Sequence, residues 1–191
     1  MFIRRDETMV ATLGKGHYSL LALLIGLLLF SFSWRLAAAE QDWQQWPTVG
    51  KAQFTWLWFD VYQSSLHTPD GHYHGLSSDL VLDIQYQRRI SAKQLLDATE
   101  QQWVAMGYPN ESIRQWLLAL SQLFPSVNAQ DRLYFVAQQE RGQLYFSEQG
   151  RMPIRLGDTN DIELSRAFLS IWLGPQTQYP DLRKALIGET P

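Results

Sequence analysis

The sequence contains no cysteine. That excludes disulfides, thiolate metal sites and a lipid-anchored lipoprotein, so stability must come from packing. Lysine occurs only at positions 15, 51, 93 and 184, and the formal net charge is −3. A negative chain without a lysine-rich stripe is a poor match to a nucleic-acid phosphate backbone. There is no phosphate-binding glycine loop, no Ser-His-Asp arrangement and no convincing pair of catalytic carboxylates. Internal repeats, linkers and low-complexity stretches are also missing.

What is present begins with the first 39 residues. Arg4, Arg5 and Lys15 precede an apolar run from Leu20 to Trp34, interrupted by Gly26, Ser31 and Ser33, and Ala37-Ala38-Ala39 follows. A positive flank, a short apolar core and small residues at −3 and −1 predict a secretory signal cleaved after Ala39. The core is shorter than the roughly 20 residues that span a bilayer. An uncleaved anchor is the alternative. Cleavage would remove four basic and two acidic residues from the 16 and 19 of the full chain, leaving 12 and 17, a net charge of −5. The expectation is one domain, residues 40–191, periplasmic or secreted and without a membrane span.

That domain would keep Trp43, Trp46, Trp56, Trp58, Trp103, Trp116 and Trp172. Rings in this number imply a bulky core or an aromatic pocket. Val49 to His67 reads as extended chain. Phe54, Trp56 and Trp58 fall on one face and Thr55, Leu57 and Phe59 on the other, as in a strand covered on both sides. Val61 to Leu66 continues it or pairs with it. Asp70-Gly71 signals a turn, and Leu80 to Tyr86 alternates as a strand with one buried face.

Ser91 and Gln94 form a capping box that starts a helix, stopped by Gly107. Ile113, Trp116, Leu117, Leu120 and Phe124 mark a second helix over 110–124, ended by Pro125. Leu133–Gln138, Leu144–Ser147 and Met152–Leu156 read as a meander, with Gly142 and Gly150 in its turns. Asn160 is placed to cap a third helix that Gly174-Pro175 ends, and Pro180 opens a short fourth, closed by Gly188. Strands and helices are segregated. The fold class is therefore α+β, a large mostly antiparallel sheet with a layer of helices on one face.

The pieces Val49-Gly50, Phe59-Asp60-Val61-Tyr62, Tyr86-Gln87-Arg88, Phe124-Pro125-Ser126-Val127 and Asp131-Arg132-Leu133 occur in this order. Ile171-Trp172-Leu173, Pro180-Asp181-Leu182-Arg183 and Leu186-Ile187-Gly188 follow. In these pieces, over about residues 46–188, the chain resembles the chalcone isomerase-like family in its bacterial exported branch. The resemblance implies that family's open sandwich, with an apolar cleft between sheet and helices. It also implies where the plant isomerases' polar set would fall. Their arginine would lie around Gln45 to Lys51, where no arginine stands. Their threonines would fall near Leu57 and Ile171, their tyrosine on Ile90 or Ser91, and their asparagine among Asp97, Ala98 and Thr99. Leu57 and Ile171 cannot donate to a developing oxyanion. Flavanone ring closure is therefore not expected, and catalytic residues are unassigned.

The candidate ligand-binding residues are Arg88, Trp56, Trp58 and Tyr62. An arginine fork can hold a carboxylate, and the resemblance places a family arginine at Arg88. A paired or solvated surface arginine is the alternative, for Arg88 as for Arg89. Trp56, Trp58 and Tyr62 could wall an apolar cleft or simply be core. Arg132 and Arg183 read as structural. His67, Asp70, His72 and His74 are better explained by a polar hairpin loop than by a metal, so neither metal nor cofactor is expected. The functional expectation is an exported, non-catalytic module binding a fatty acid or other small hydrophobic anion. Two alternatives are an isomerase or lyase acting on an unsaturated small molecule, and a structural partner in an envelope complex.

Overall fold

The computed structural model describes residues 42–56 and 59–189, with the side chains of Asp42, Trp56 and Phe59 left aside. The expected signal, Leu57 and Trp58 thus lie outside the described residues.

Alternating side chains build six strands: β1 (Thr48–Trp56), β2 (Phe59–His67), β3 (Leu80–Tyr86), β4 (Arg132–Gln138), β5 (Arg141–Ser147) and β6 (Ile154–Thr159). They pair in chain order, every neighbour antiparallel. Four α-helices join them among the described residues: α1 (Ala92–Ala105), α2 (Asn110–Ser121), α3 (Ile162–Leu173) and α4 (Pro180–Leu186). The segregation expected from the sequence is therefore the observed α+β architecture.

All four helices cover one face. Leu80, Leu82, Ile84 and Tyr86 point from β3 into a core shared with Trp103 of α1, Leu120 of α2, Phe168 of α3 and Leu186 of α4. Trp103 lies fully inside and its indole N–H donates to the Ala167 carbonyl at 2.8 Å, satisfying the one polar atom the ring brings. No helix among the described residues is long and apolar enough to cross a membrane.

Five local expectations need correction. First, the extended stretch is a hairpin. Thr48–Trp56 and Phe59–His67 are two strands paired antiparallel, so the stretch is not one strand covered on two sides, and of the two alternatives Val61 to Leu66 pairs with the first part. Second, β3 buries both faces. Val81 and Asp83 are 1% and 6% exposed, because a short 3-10 turn at Asp42–Gln45 lays Trp43 over the helix-free face against Val81, Val136 and Tyr145.

Third, Gly142 lies inside β5 opposite Ala137, not in a turn. The turn before it uses Gln139 and Glu140 at φ of 50° and 64°. It is held by the Gln139 amide donating to Asp79 Oδ1 at 2.9 Å. Fourth, α3 is capped by Asp161, not Asn160: its Oδ1 accepts from the amides of Glu163 and Leu164 at 2.8 and 3.2 Å. Fifth, α2 stops at Ser121, and the amides of Leu123 and Phe124 both close onto the Leu120 carbonyl. The capping box at Ser91 and Gln94 forms as the sequence indicates.

Candidate functional site

Register places Phe54, Tyr62 and Tyr86 side by side on β1, β2 and β3, all on the helix-covered face. Phe54 and Tyr62 stack at 5.0 Å and 21°. Tyr86 and Trp172 of α3 meet Tyr62 edge-on at 6.4 and 6.5 Å, and Tyr179, just before α4, meets Phe54 edge-on at 4.9 Å. These offset and edge geometries suit aromatic quadrupoles.

The polar atoms of this aromatic cluster are few and specific. The Trp172 indole N–H donates to the Tyr62 hydroxyl at 2.9 Å. Gln102 Nε2 of α1 donates to the Tyr179 hydroxyl at 3.3 Å, and the Gln102 side-chain oxygen Oε1 is buried without a partner. Burial holds the Tyr62 and Tyr86 phenols well above their ordinary range; at Tyr62 the Trp172 hydrogen bond opposes this. Both phenols are therefore neutral donors at physiological pH. Aromatic walls, neutral hydroxyls and one orphaned acceptor suit an apolar body carrying a small polar group.

Of the residues predicted from sequence, Tyr62 is central to this cluster. Trp56 ends β1 at the same end of the sheet, its side chain outside the description, and Trp58 lies outside the described residues. Arg88 is exposed, two residues past Tyr86. The Gln87 amide donates to the Val61 carbonyl at 2.9 Å, continuing the β2–β3 ladder one step and setting Arg88 at this end of the sheet too. Arg89 is also exposed.

The positions implied by the resemblance fall elsewhere or are occupied. Ser91 caps α1, Thr99 donates to the Leu95 carbonyl at 2.9 Å, Ile171 is core, and Lys51 points to the opposite face of the sheet. Sequence reasoning missed Phe54, Tyr86, Gln102, Trp172 and Tyr179. Their hydrophobic spacing marked some as core, but nothing local joins Gln102 to a residue 77 positions on.

Arg183 Nε donates to the Leu173 carbonyl at 2.9 Å, a structural role at the end of α3. His72 and His74 both contact Asp70, their rings 6.4 Å apart, while His67 bonds elsewhere. His67 Nδ1 lies 3.1 Å from the Trp46 carbonyl and His74 Nε2 lies 2.7 Å from Asp70 Oδ2. Among the described residues no three His, Cys, Asp or Glu side chains group as metal ligands.

Two open grooves of about 310 Å3 each occupy the helix-free face. Asp83 borders both. Its Oδ2 accepts from Arg132 Nη1 at 2.5 Å, while Oδ1 is buried and unpartnered. Burial raises the Asp83 carboxyl above the usual aspartate range, with Arg132, His67 and Lys51 opposing.

No family model matches the chain. It is 26% identical over 145 residues to a Haemophilus influenzae protein described as uncharacterized, covering 76% of this chain and 69% of that one. Among solved structures it superposes on a fatty-acid binding protein of Arabidopsis thaliana with a TM-score of 0.56, at 10% identity, over 74% of this chain and 86% of that one. The fold is the chalcone isomerase fold. In this fold the aromatic cluster is packed between sheet and helices, and the two grooves lie on the sheet's other side.

Proposed function

We propose that this is an exported, non-catalytic protein of the chalcone isomerase fold that holds a fatty acid or similar small hydrophobic anion between sheet and helices, at the Tyr62 end. The carrying observation is the aromatic cluster between sheet and helices: stacked Phe54 and Tyr62, edge-on Trp172 and Tyr179, and the orphaned Gln102 side-chain oxygen. Tyr62 walls the apolar part, and Arg88 receives the carboxylate. A hydroxyl on the ligand, apart from its carboxylate, would satisfy the Gln102 side-chain oxygen. The fatty-acid binding of the superposed plant protein supports the same ligand class. Export rests on the signal-like first 39 residues.

Native mass spectrometry of the protein purified from its own host tests the reading directly. A bound lipid mass is expected, displaced by added palmitate. Arg88→Ala should weaken palmitate by about tenfold, the scale of a charge-assisted contact, and leave hexadecanol unchanged. Absence of any bound mass, together with failure to bind a fluorescent fatty acid, would sink the proposal.

A further inference from the structure

The helix-free face of the sheet carries a chemistry that a lipid chain cannot use. Strand register sets Lys51, Ser65, Asp83 and Tyr134 in one row across β1 to β4. Gln53, Gln63, Gln85 and Arg132 form the next row. The Asp83 side chain is 9% exposed, yet one of its oxygens has no partner. Trp43, 4% exposed, has an indole N–H that is likewise unpartnered. Both residues border the same groove, together with Tyr134. The rings of Trp43 and Tyr134 meet at 5.2 Å with their planes tilted by 52°, Trp43 buried and Tyr134 half-buried at the groove.

A buried unpaired acceptor and a buried unpaired donor each carry a desolvation cost until a ligand meets them. A fatty acyl chain meets neither. A simple anion answers the indole but is repelled by Asp83, and a simple cation answers Asp83 but not the indole. A hydroxyl both donates and accepts, and neighbouring hydroxyls on a ring can serve both atoms. The side chains of Gln53 and Gln63, exposed beside Asp83, also offer both functions. The C–H face of such a ring needs an apolar surface beside it, and the half-buried Tyr134 ring at the groove is one.

We propose that this face is a second ligand site, for a saccharide ring, with Asp83 accepting from a sugar hydroxyl, Trp43 donating to a ring or hydroxyl oxygen, and Gln63 on the rim. It is separate from the aromatic cluster by the thickness of the sheet and stands whether or not that cluster holds a lipid.

The test is a titration of the 15N-labelled full chain with glucose, N-acetylglucosamine and maltose, each to about 20 mM, well above a millimolar Kd. The readout is the Trp43 indole N–H resonance, assigned through Trp43→Phe. At least one sugar should move it saturably, while sodium acetate and palmitate leave it in place. Asp83→Asn should weaken that binding by about tenfold or more. Should that variant not fold, Gln63→Ala, at an exposed position, should weaken it by about threefold. No movement with any of the three sugars overturns the proposal. So does an equal response to acetate, or a response that survives these substitutions unchanged.

Discussion

The indole N–H of Trp172 and the hydroxyl of Tyr62 are joined at 2.9 Å across 110 residues of sequence. This bond ties α3 to β2 inside the aromatic cluster and satisfies two polar atoms that burial would otherwise orphan. Removing either partner alone strands the other. Tyr62→Phe and Trp172→Phe are each expected to destabilise the unliganded protein by about 1–3 kcal/mol. Urea unfolding of both single variants and the double variant measures the coupling, expected near 1 kcal/mol. Strict additivity would mean that the bond contributes nothing.

Gly50 is fixed by contact. A Cβ there would press into the backbone carbonyl oxygens of Ala185 and Leu186, at the end of α4. Backbone atoms of a packed helix cannot step aside as a flexible side chain can. Gly50→Ala should therefore displace α4 from β1 and cost about 2–3 kcal/mol. Thermal unfolding checks this. A variant as stable as the parent would show that α4 slides freely on β1.

What the sequence discloses follows the range of each interaction. The start of α1 was legible because Ser91 and Gln94 are three residues apart and bond each other, side chain to backbone both ways and side chain to side chain. The start of α3 was legible to within one residue: Asn160 and Asp161 are both capping types, and only backbone geometry separates them. The β4–β5 turn was misplaced because its support, Asp79, comes from 60 residues earlier. In the aromatic cluster, Tyr62 was visible as an aromatic residue on a strand. Its partners Trp172 and Tyr179 come from the far end of the chain, and register and helix docking bring them in. The groove around Asp83 was invisible. An alternating strand puts Asp83 on the nominal solvent side, and only the packing of Trp43 closes that side.

The burial of Asp83 sets a pH dependence with a definite sign. Burial raises its folded pKa above the unfolded value, against the pull of Arg132, His67 and Lys51. The folded state thus binds the Asp83 proton more tightly than the unfolded chain does. Asp83's contribution is fully present below the unfolded pKa and is lost as pH rises through the folded pKa. Asp83→Asn abolishes this titration. The stability of the parent relative to Asp83→Asn should be greatest in acid and decline just above the usual aspartate range. Chemical denaturation of both proteins across that range provides the test. A difference that grows with pH would instead make the Arg132 ion pair dominant.

Asp161 performs two tasks with its two oxygens. Oδ1 caps α3 through the amides of Glu163 and Leu164. Oδ2 accepts from the Trp116 indole N–H of α2 at 3.0 Å, so one side chain both starts a helix and ties it to its neighbour. The two tasks separate by substitution. Asp161→Asn keeps an oxygen for the cap but presents an amide N–H2 that cannot accept from Trp116. Asp161→Ala loses both. The alanine variant should lose about 2–3 kcal/mol, combining a lost cap of about 1 kcal/mol with a stranded indole N–H. The asparagine variant should retain the cap contribution and lose only the second part. Asp161→Asn in a Trp116→Phe background isolates the cap and should be close to neutral. If the two variants are equally destabilised in the parent background, the cap contributes nothing and α3 is held by its packing alone.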